Sequence, residues 1–222
     1  MHARWSCALP LAAASLGLAA FAQAGVVSGQ VQRMEAGAGF LDLDFPMPDP
    51  FFDLASIVTP PVGSFILVEE SIPDIRSYRS RLGFMSIDGV DANFDFENSM
   101  TLSPWHLGDY EFAFAANRLA FTSDLGVIVT LTGHLATSGT GYGFFEVGGD
   151  LAELVTFGES MVSYSVALGP GAQVISWGSL VGNAGGFADF EGTVTLTLVP
   201  GPGSFALFAA AGAVARRRRR SD

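Results

Sequence analysis

The chain has 222 residues and carries 22 acidic side chains against 11 arginines, with no lysine. A nucleic-acid-binding protein needs clustered basic side chains to neutralise phosphates, so this charge balance excludes that class of partner. The length corresponds to one domain with a substantial core. The single cysteine, Cys7, lies in a segment expected to be removed, which excludes disulfide scaffolds and thiol chemistry in the mature protein.

Residues 1–24 have the pattern of a secretory signal peptide. His2 and Arg4 give a short basic start, and an apolar run follows over residues 9–21. Ala22 and Ala24 then supply the small residues that a signal peptidase requires at its cleavage site. The alternative is a buried N-terminal core helix. We expect export and removal of this segment.

The predicted body, residues 25–199, contains short runs of alternating apolar and polar residues separated by turn-forming residues. This pattern predicts an all-β fold, an antiparallel β-sandwich or jelly roll in a single domain. Residues 123–126 are predicted to form a hairpin turn, residues 139–143 a second turn, and the proline-rich region 41–61 an irregular loop. The predicted strands are 65–72, 77–87, 91–97, 110–114, 118–122, 127–132, 142–147, 161–168, 173–180 and 193–198.

Phenylalanine is abundant in this body, and its simplest role is to fill the space between two sheets. The candidate core residues are Phe112, Phe114, Phe121, Phe144, Phe157 and Phe190.

The C-terminal residues 200–222 have three parts. A Pro/Gly hinge comes first, an uncharged apolar run follows over residues 205–215, and five arginines follow that. A helix of this run reaches only about 17 Å, well short of the ~30 Å hydrocarbon core, so we expect marginal spanning and a temporary anchor. The arginines predict that the end of the tail is cytoplasmic and the body lies outside. Short hydrophobic helices are therefore expected at both termini.

This tail resembles the PEP-CTERM sorting signal of exported bacterial proteins. Gly201 stands where that family usually has an acidic residue. The resemblance covers residues 199–220 and rests on Val199, Pro200, Pro202, Gly203, Ser204, Arg216, Arg217, Arg218, Arg219 and Arg220.

The resemblance implies a partner and a destination. In that family an integral-membrane cysteine transpeptidase, exosortase, recognises the signal, and the machinery tends to accompany exopolysaccharide production. We therefore expect a protein of the cell envelope, outer surface or extracellular matrix. It would be held transiently in the membrane through its C-terminal helix.

Carboxylates are the only abundant reactive groups in the body. Asp91, Asn93, Asp95 and Glu97 alternate along one predicted strand, so they should share one face. Their oxygens suit calcium, and Asp91, Asn93 and Asp95 are the candidate ligands. A solvated strand face is the alternative, because Phe96 stands where an EF-hand loop needs glycine.

Exposed aromatic rings are the second candidate feature, since a ring can stack on the apolar face of a sugar. Trp105, Tyr110 and Trp177 are the candidate sugar-binding residues, with Tyr142 as a further one, and each has a core position as its alternative. Three arginines lie close together in the chain at positions 76, 79 and 81. They could receive an anionic polysaccharide, although ion pairs with the many acids are the simpler expectation.

No nucleophile motif, phosphate-binding loop or histidine-rich metal motif occurs in the sequence. We expect a non-catalytic structural or adhesive protein with no required cofactor. One alternative is a carbohydrate-binding module of the exopolysaccharide matrix. The other is a secreted glycoside hydrolase that uses two carboxylates.

Overall fold

The computed structural model describes residues 31–41, 51–104, 112–148, 150–154 and 158–199. All regular structure in these residues is β-strand, and every strand pair is antiparallel. The strands are β1 (Val31–Leu41), β2 (Phe51–Val58), β3 (Phe65–Ile72), β4 (Arg76–Asp88), β5 (Asp91–Leu102), β6 (Phe112–Ser123), β7 (Gly126–Val147), β8 (Asp150–Leu154), β9 (Gly158–Leu168) and β10 (Gly171–Val199). The predicted all-β class is confirmed.

Two long strands, β7 and β10, belong to both halves of one continuous sheet. Residues 171–182 of β10 pair with β6, and residues 186–197 pair with β5. The first sheet therefore has the order β2-β1-β6-β10-β7-β8, using residues 141–147 of β7. The second has the order β3-β4-β5-β10-β7-β9, using residues 126–139 of β7. The continuous sheet folds over on itself and forms the predicted sandwich.

Glycines allow the fold-over. The register between β7 and β10 breaks between Val181 and Gly186, where the two strands bend together. Gly186 has a φ of 141°, and a Cβ atom there would lie 2.2 Å from the Ser138 carbonyl oxygen. Only glycine fits this close approach. The turn predicted at 139–143 is wrong, because these residues lie within β7 at this bend.

The register gives the sandwich two different ends. We call the end with the β7 and β10 bend the hinge end. The opposite end, the open end, contains Val31, the turns 89–90 and 124–125, and the last residue of β10, Val199. The β2–β3 loop, residues 59–64, begins near this end, since Val58 pairs with Arg33 near the start of β1, and it ends midway along the second sheet, where Phe65 pairs with Gly83.

Aromatic rings fill much of the space between the sheets. Phe84 and Phe94 stack with their centroids 4.6 Å apart. Phe96 of the second sheet meets Trp177 of the first in an edge contact at 5.6 Å, and it also meets Phe190 at 5.0 Å. Such pairs add stability beyond the apolar area that they bury.

A polar cluster lies in the same interior, formed by Ser80, Asn98, Asn117 and Ser179, all buried. Asn117 Nδ2 of β6 donates to Asn98 Oδ1 of β5 at 3.0 Å. The Ser80 hydroxyl of β4 lies 2.7 Å from the Ala116 carbonyl oxygen of β6. Ser179 of β10 donates to the Asn98 carbonyl oxygen at 3.0 Å. These bonds join the two sheets directionally.

Tyr78 of β4, in the second sheet, reaches across the interior to β2, the edge strand of the first sheet. Its buried hydroxyl donates to Asp53 Oδ2 at 3.1 Å. Burial is the larger cause, and the bond to Asp53 the second, of a strongly raised pKa of the Tyr78 phenol.

Four of the six candidate core phenylalanines are buried, namely 114, 121, 144 and 190. Phe114 and Phe144 form a separate small cluster with Ala116, apart from the main core between the sheets. Phe112 is half-buried, and Phe157 lies outside the described residues.

Three predictions about the strands need correction. Region 41–61 is not wholly irregular, since it contains β2. Residues 123–126 do not close a hairpin, because β6 and β7 do not pair and the chain passes there from the first sheet to the second. Several predicted strands are segments of longer ones.

The predicted terminal helices lie outside the described residues, and the part of the chain that is described has no helix long and apolar enough to cross a membrane.

Candidate functional site

The outer face of the second sheet is a polar surface built from alternate residues of β9, β7, β10 and β5. Hydroxyl groups of neighbouring strands meet across it. The Thr132 and Thr193 oxygens are 3.0 Å apart, and the Thr130 and Ser165 oxygens are 3.1 Å apart. Because cross-strand hydroxyl pairs fix their rotamers, this face presents an ordered array of donors and acceptors.

The acidic row of β5 lies on the same outer face. Along residues 91–97, Asp91, Asn93, Asp95 and Glu97 are partly exposed, and the residues between them are buried. This alternation confirms that the four side chains share a face of the strand. Asn93 Oδ1 accepts a hydrogen bond from Thr195 at 3.0 Å, which connects the row to the hydroxyl array.

The candidate calcium ligands Asp91, Asn93 and Asp95 do not form a free set. Asp95 forms an ion pair with Arg81 of β4, and the Asn93 amide nitrogen donates to Ser86 at 3.3 Å. Among the described residues, no group of three or more His, Cys, Asp or Glu side chains is placed to hold a metal ion. The geometry therefore gives the calcium hypothesis no support.

Gly83 explains how the Asp95 carboxylate is accommodated. A Cβ atom at position 83 would lie 2.2 Å from Asp95 Oδ1, so the carboxylate occupies the space above this glycine. The register places Gly83 of β4 directly opposite Asp95 of β5. The missing side chain thus lets the Arg81–Asp95 pair lie flat on the sheet.

The arginines at positions 76, 79 and 81 form ion pairs with acids on adjacent strands, which confirms the simpler of the two expectations for these residues. The pairs are Arg76–Glu70 (3.1 Å), Arg79–Glu69 (3.3 Å), Arg79–Glu97 (3.0 Å) and Arg81–Asp95. Neutralised in this way, these side chains do not present a basic patch for an anionic polysaccharide.

A shallow groove of about 350 Å³ crosses this face where β9, β7 and β10 lie side by side. His134 of β7 pairs in register with Glu191 of β10 on one side and with Met161 of β9 on the other. Met161 is 77% exposed, which is unusual for a large apolar side chain. The groove is lined by Thr132, Gly133, His134, Met161, Glu191, Gly192 and Thr193.

Two glycines allow β7 and β10 to approach closely beneath the groove. Gly133 and Gly192 lie opposite each other, and a Cβ atom on Gly192 would lie 2.1 Å from the Thr132 carbonyl oxygen. The groove combines a carboxylate, an imidazole, two hydroxyls and a thioether. This set can hydrogen-bond several hydroxyl groups while Met161 contacts an apolar surface.

The candidate sugar-binding aromatic residues differ in where the structure places them. Trp177 is fully buried against Phe96, so its assignment as an exposed sugar-stacking residue is wrong. Trp177 lies on the inward-facing side of its strand, as Ile175 does, and both side chains are part of the core. Trp105 and Tyr110 lie outside the described residues. Tyr142 is half-buried, with its ring 6.2 Å from that of Phe112.

Sequence reasoning missed the groove residues His134, Met161 and Glu191. They are far apart in the chain and belong to no motif. The only available signal was strand alternation, which places each of them on the same face as the other outward-facing residues of its predicted strand. Alternation does not reveal that the three strands lie side by side.

No protein-family model matches the chain, and no curated protein matches it. Among solved structures, the enzymatically active domain of bacteriophage CBA120 tailspike protein 4 is similar over 61% of this chain and 19% of that one, at 11% identity and a TM-score of 0.35. TmCBM61 in complex with β-1,4-galactotriose is similar over 60% of this chain and 88% of that one, at 9% identity and a TM-score of 0.31.

A β-glucosidase from Kluyveromyces marxianus is similar over 82% of this chain and 16% of that one, at 14% identity and a TM-score of 0.26. This chain therefore spans about a fifth or less of the tailspike and β-glucosidase chains. TM-scores this low carry no argument about function.

Proposed function

We propose that the protein is an exported, non-catalytic structural or adhesive component of the cell surface or extracellular matrix. A signal peptidase removes residues 1–24, and an exosortase-type membrane transpeptidase recognises residues 199–220. The observation that carries the proposal is the order of the tail: Pro/Gly hinge, short apolar run and five arginines, in a chain that also has a leader.

The fold is compatible with this arrangement. The last residue of β10 is Val199, which pairs with Gly126, so the tail begins directly where the sandwich ends. Removal of the tail after Val199 would leave every described strand intact. The acidic body then favours solubility outside the cell through its net negative charge.

The test is the intact mass of the protein recovered from its own cell surface. The proposal expects a mass lacking residues 1–24 and lacking the arginine cluster. Replacing the arginines at 216–220 with glutamine should leave the tail uncut or misoriented, because the positive charges set the orientation of the apolar run. Normal delivery and processing of that variant would contradict the proposed role of the tail.

Carbohydrate binding is a second candidate function, and the groove on the second sheet is the observation that favours it. Glu191, His134, Thr132 and Thr193 supply donors and acceptors for sugar hydroxyls, and Met161 supplies an apolar contact. An acidic, open groove suits a neutral polysaccharide better than an anionic one, since like charges repel.

A glycan array screened with the protein tests this candidate. Glu191→Gln and Met161→Ala should weaken any binding about tenfold, the expected loss for one hydrogen bond or one apolar contact. Glu159→Gln is the matched control, because Glu159 is an exposed acid on β9 that does not line the groove. Equal binding by Glu191→Gln and Glu159→Gln would exclude the groove as the site.

A further inference from the structure

The strand β9 forms one edge of the second sheet, and among the described residues β7 is the only strand that pairs with it. In this part of the chain, the backbone N–H and C=O groups along its other side therefore have no strand to bond. All eleven residues of β9 pair with β7 in one unbroken register, so the edge is regular along its whole length. A regular edge of this length can accept a further antiparallel strand.

The other three edges of the two described sheets carry features that discourage such pairing. On β2, Asp53 accepts the hydrogen bond from the buried Tyr78 and so points inward. On β3, Glu70 lies on the same side of the strand as the buried Ile66 and Val68. The strand β8 has only five residues. Inward-pointing charges and short edge strands are two means by which natural sheets avoid edge-to-edge contact.

The strand β9 has neither of these features. Its only charged residue is Glu159, second from its start, and it contains neither lysine nor proline. Its core-facing side is also incompletely covered, because Tyr164, Val166 and Leu168 pack against the core but are only half-buried. A strand added at this edge would cover them, and burial of that apolar surface favours association.

The sequence of β9 identifies a strand that fits this edge. Residues 162–166 read Val-Ser-Tyr-Ser-Val, which is the same in both directions about Tyr164. Two copies of β9 paired antiparallel about this residue place Val162 of one opposite Val166 of the other, and Ser163 opposite Ser165. Paired valines, serine hydroxyls and tyrosine rings are all favourable across neighbouring antiparallel strands. A contact with two-fold symmetry requires this kind of self-complementarity.

The charges of β9 are compatible with the same arrangement, although the body as a whole is acidic. In this register Glu159 lies opposite residue 169 of the second copy, just beyond the end of that copy's β9. The two Glu159 side chains are then ten positions apart along the strands, about 34 Å, which is well beyond the Debye length. No carboxylate of one β9 therefore opposes a carboxylate of the other.

We propose that β9 pairs with β9 of a second copy of the chain, about a two-fold axis at Tyr164. The contact joins two six-stranded second sheets into one continuous sheet and closes at two copies. It involves only the described body of the chain, so it is independent of how the tail is sorted.

The pairing has a consequence for the groove, which rests on the carbohydrate-binding candidate. Both grooves then lie on one continuous outer face, because the axis is perpendicular to the sheet. Met161 lies opposite residue 167 of the second copy, so the two Met161 side chains are about 20 Å apart along the strands. A polysaccharide long enough to reach both grooves gains avidity without any new contact.

Charges introduced at the edge test the pairing. Each protein is recovered from the surface of its own host, in a non-ionic detergent that covers any tail still present. The double variant Ser163→Lys with Ser165→Lys sets like charges directly opposite each other across the axis. The double variant Ser163→Glu with Ser165→Glu does the same with the opposite sign. Sedimentation equilibrium measures the mass of the protein in solution.

The matched control is Thr130→Lys with Thr132→Lys. These two residues lie on β7, directly beside Ser165 and Ser163 in the register, and face the same way. Across the axis the control lysines are three strand spacings apart, about 14 Å, where salt screens most of their repulsion. The control therefore carries the same added charge on the same face without bringing the charges together.

We expect the unsubstituted protein and the control to have twice the mass of a single chain at about 0.1 mM, enough to populate a micromolar dimer. The lysine variant and the glutamate variant should each have the mass of a single chain. An equal mixture of the two should return to the doubled mass, because each lysine then faces a glutamate. Dissociation of the lysine variant is specific, since added lysines lower the net negative charge and reduce general repulsion between copies.

A single-chain mass for the unsubstituted protein would overturn the pairing. A mixture that stays at the single-chain mass would also overturn it, because the two charged strands would then not face each other. A doubled mass that both charged variants retain would place the contact elsewhere on the molecule. Masses that grow beyond two copies would indicate a head-to-tail contact between different edges, which excludes the two-fold axis.

Discussion

The interior of the sandwich has two regions that hold the sheets together by different means. In the aromatic region, Phe96 packs against Trp177 across the gap between the sheets and against Phe190 of its own sheet. In the polar region, Asn117 and Ser80 form hydrogen bonds that cross the same gap. Apolar contacts are non-directional, whereas hydrogen bonds lose their value when the donor and acceptor shift by a fraction of an ångström.

The difference indicates a division of roles. The aromatic region should contribute more to the free energy of folding than the polar region, because that contribution scales with buried apolar area. The polar region contributes less net energy but fixes how β4 and β5 lie over β6 and β10. Substitutions in the first region should therefore reduce stability most, and substitutions in the second should also reduce the specificity of the packing.

Trp177→Ala should have the largest effect. Trp177 is fully buried and links the two sheets, so its truncation leaves a large cavity and should lower the free energy of unfolding by about 3–5 kcal/mol. Chemical denaturation measures this. Val174→Ala is the control on the same strand, because Val174 is 46% exposed and its truncation should cost less than about 0.5 kcal/mol. Equal losses would show that the aromatic region does not dominate.

Asn117→Ala tests the polar region. The substitution removes the donor to Asn98 Oδ1 and to the Arg81 carbonyl oxygen, and it leaves these groups buried. A loss of about 1–3 kcal/mol is expected from unpaired buried polar groups. Asn93→Ala, on the exposed face of β5, should cost less than about 0.5 kcal/mol. Near-neutral behaviour of Asn117→Ala would mean that the polar bonds only replace bonds to water.

The aromatic half of this comparison was largely predictable, and the polar half was not. Alternation in 193–198 predicts one buried and one exposed face, and Val194, Leu196 and Leu198 are indeed buried. The same period places Phe94 and Phe96 inside. Nothing in the sequence indicates that Asn98 and Asn117 face each other, because they come from strands of different sheets.

The glycines explain the other failures. A glycine cluster usually ends a strand, so residues 139–143 are predicted to form a turn, and residues 182–186, which contain three glycines, fall in no predicted strand. In the structure both clusters bend long strands from one sheet into the other. The groove is equally invisible in the sequence, since it depends on Gly133 and Gly192 meeting across two strands.

Tyr78→Phe extends the comparison to the buried contact between Tyr78 of β4 and Asp53 of β2. The raised pKa of Tyr78, caused first by burial and then by the bond to Asp53, means that the folded state keeps the phenol proton above pH of about 10, where a free tyrosine loses it. Above about pH 10 the unfolded state binds fewer protons, so stability falls as the pH rises; below it, the contribution is fully present. Tyr78→Phe should therefore flatten the alkaline decline and cost about 1 kcal/mol at neutral pH.

Denaturation midpoints between neutral pH and pH of about 11 measure this effect. The remaining tyrosines titrate in both proteins, so the difference between the two profiles isolates position 78. Parallel profiles would show that the Tyr78 proton is not coupled to folding.

Gly83→Ala should have the smallest effect and tests whether the partly exposed Arg81–Asp95 ion pair contributes to stability at all. The new methyl group must displace the Asp95 carboxylate, which lies 2.2 Å from the Cβ position, and so disrupt its ion pair with Arg81. The carboxylate can rotate away, so the loss should be no more than about 1 kcal/mol and should shrink in high salt. In an Asp95→Ala background, Gly83→Ala should then cost nothing, because no carboxylate occupies the space. If Gly83→Ala still lowered the free energy of unfolding in the Asp95→Ala background, the new methyl group would be straining the β4 backbone itself. The Arg81–Asp95 ion pair would then contribute no more to stability than the water that replaces it.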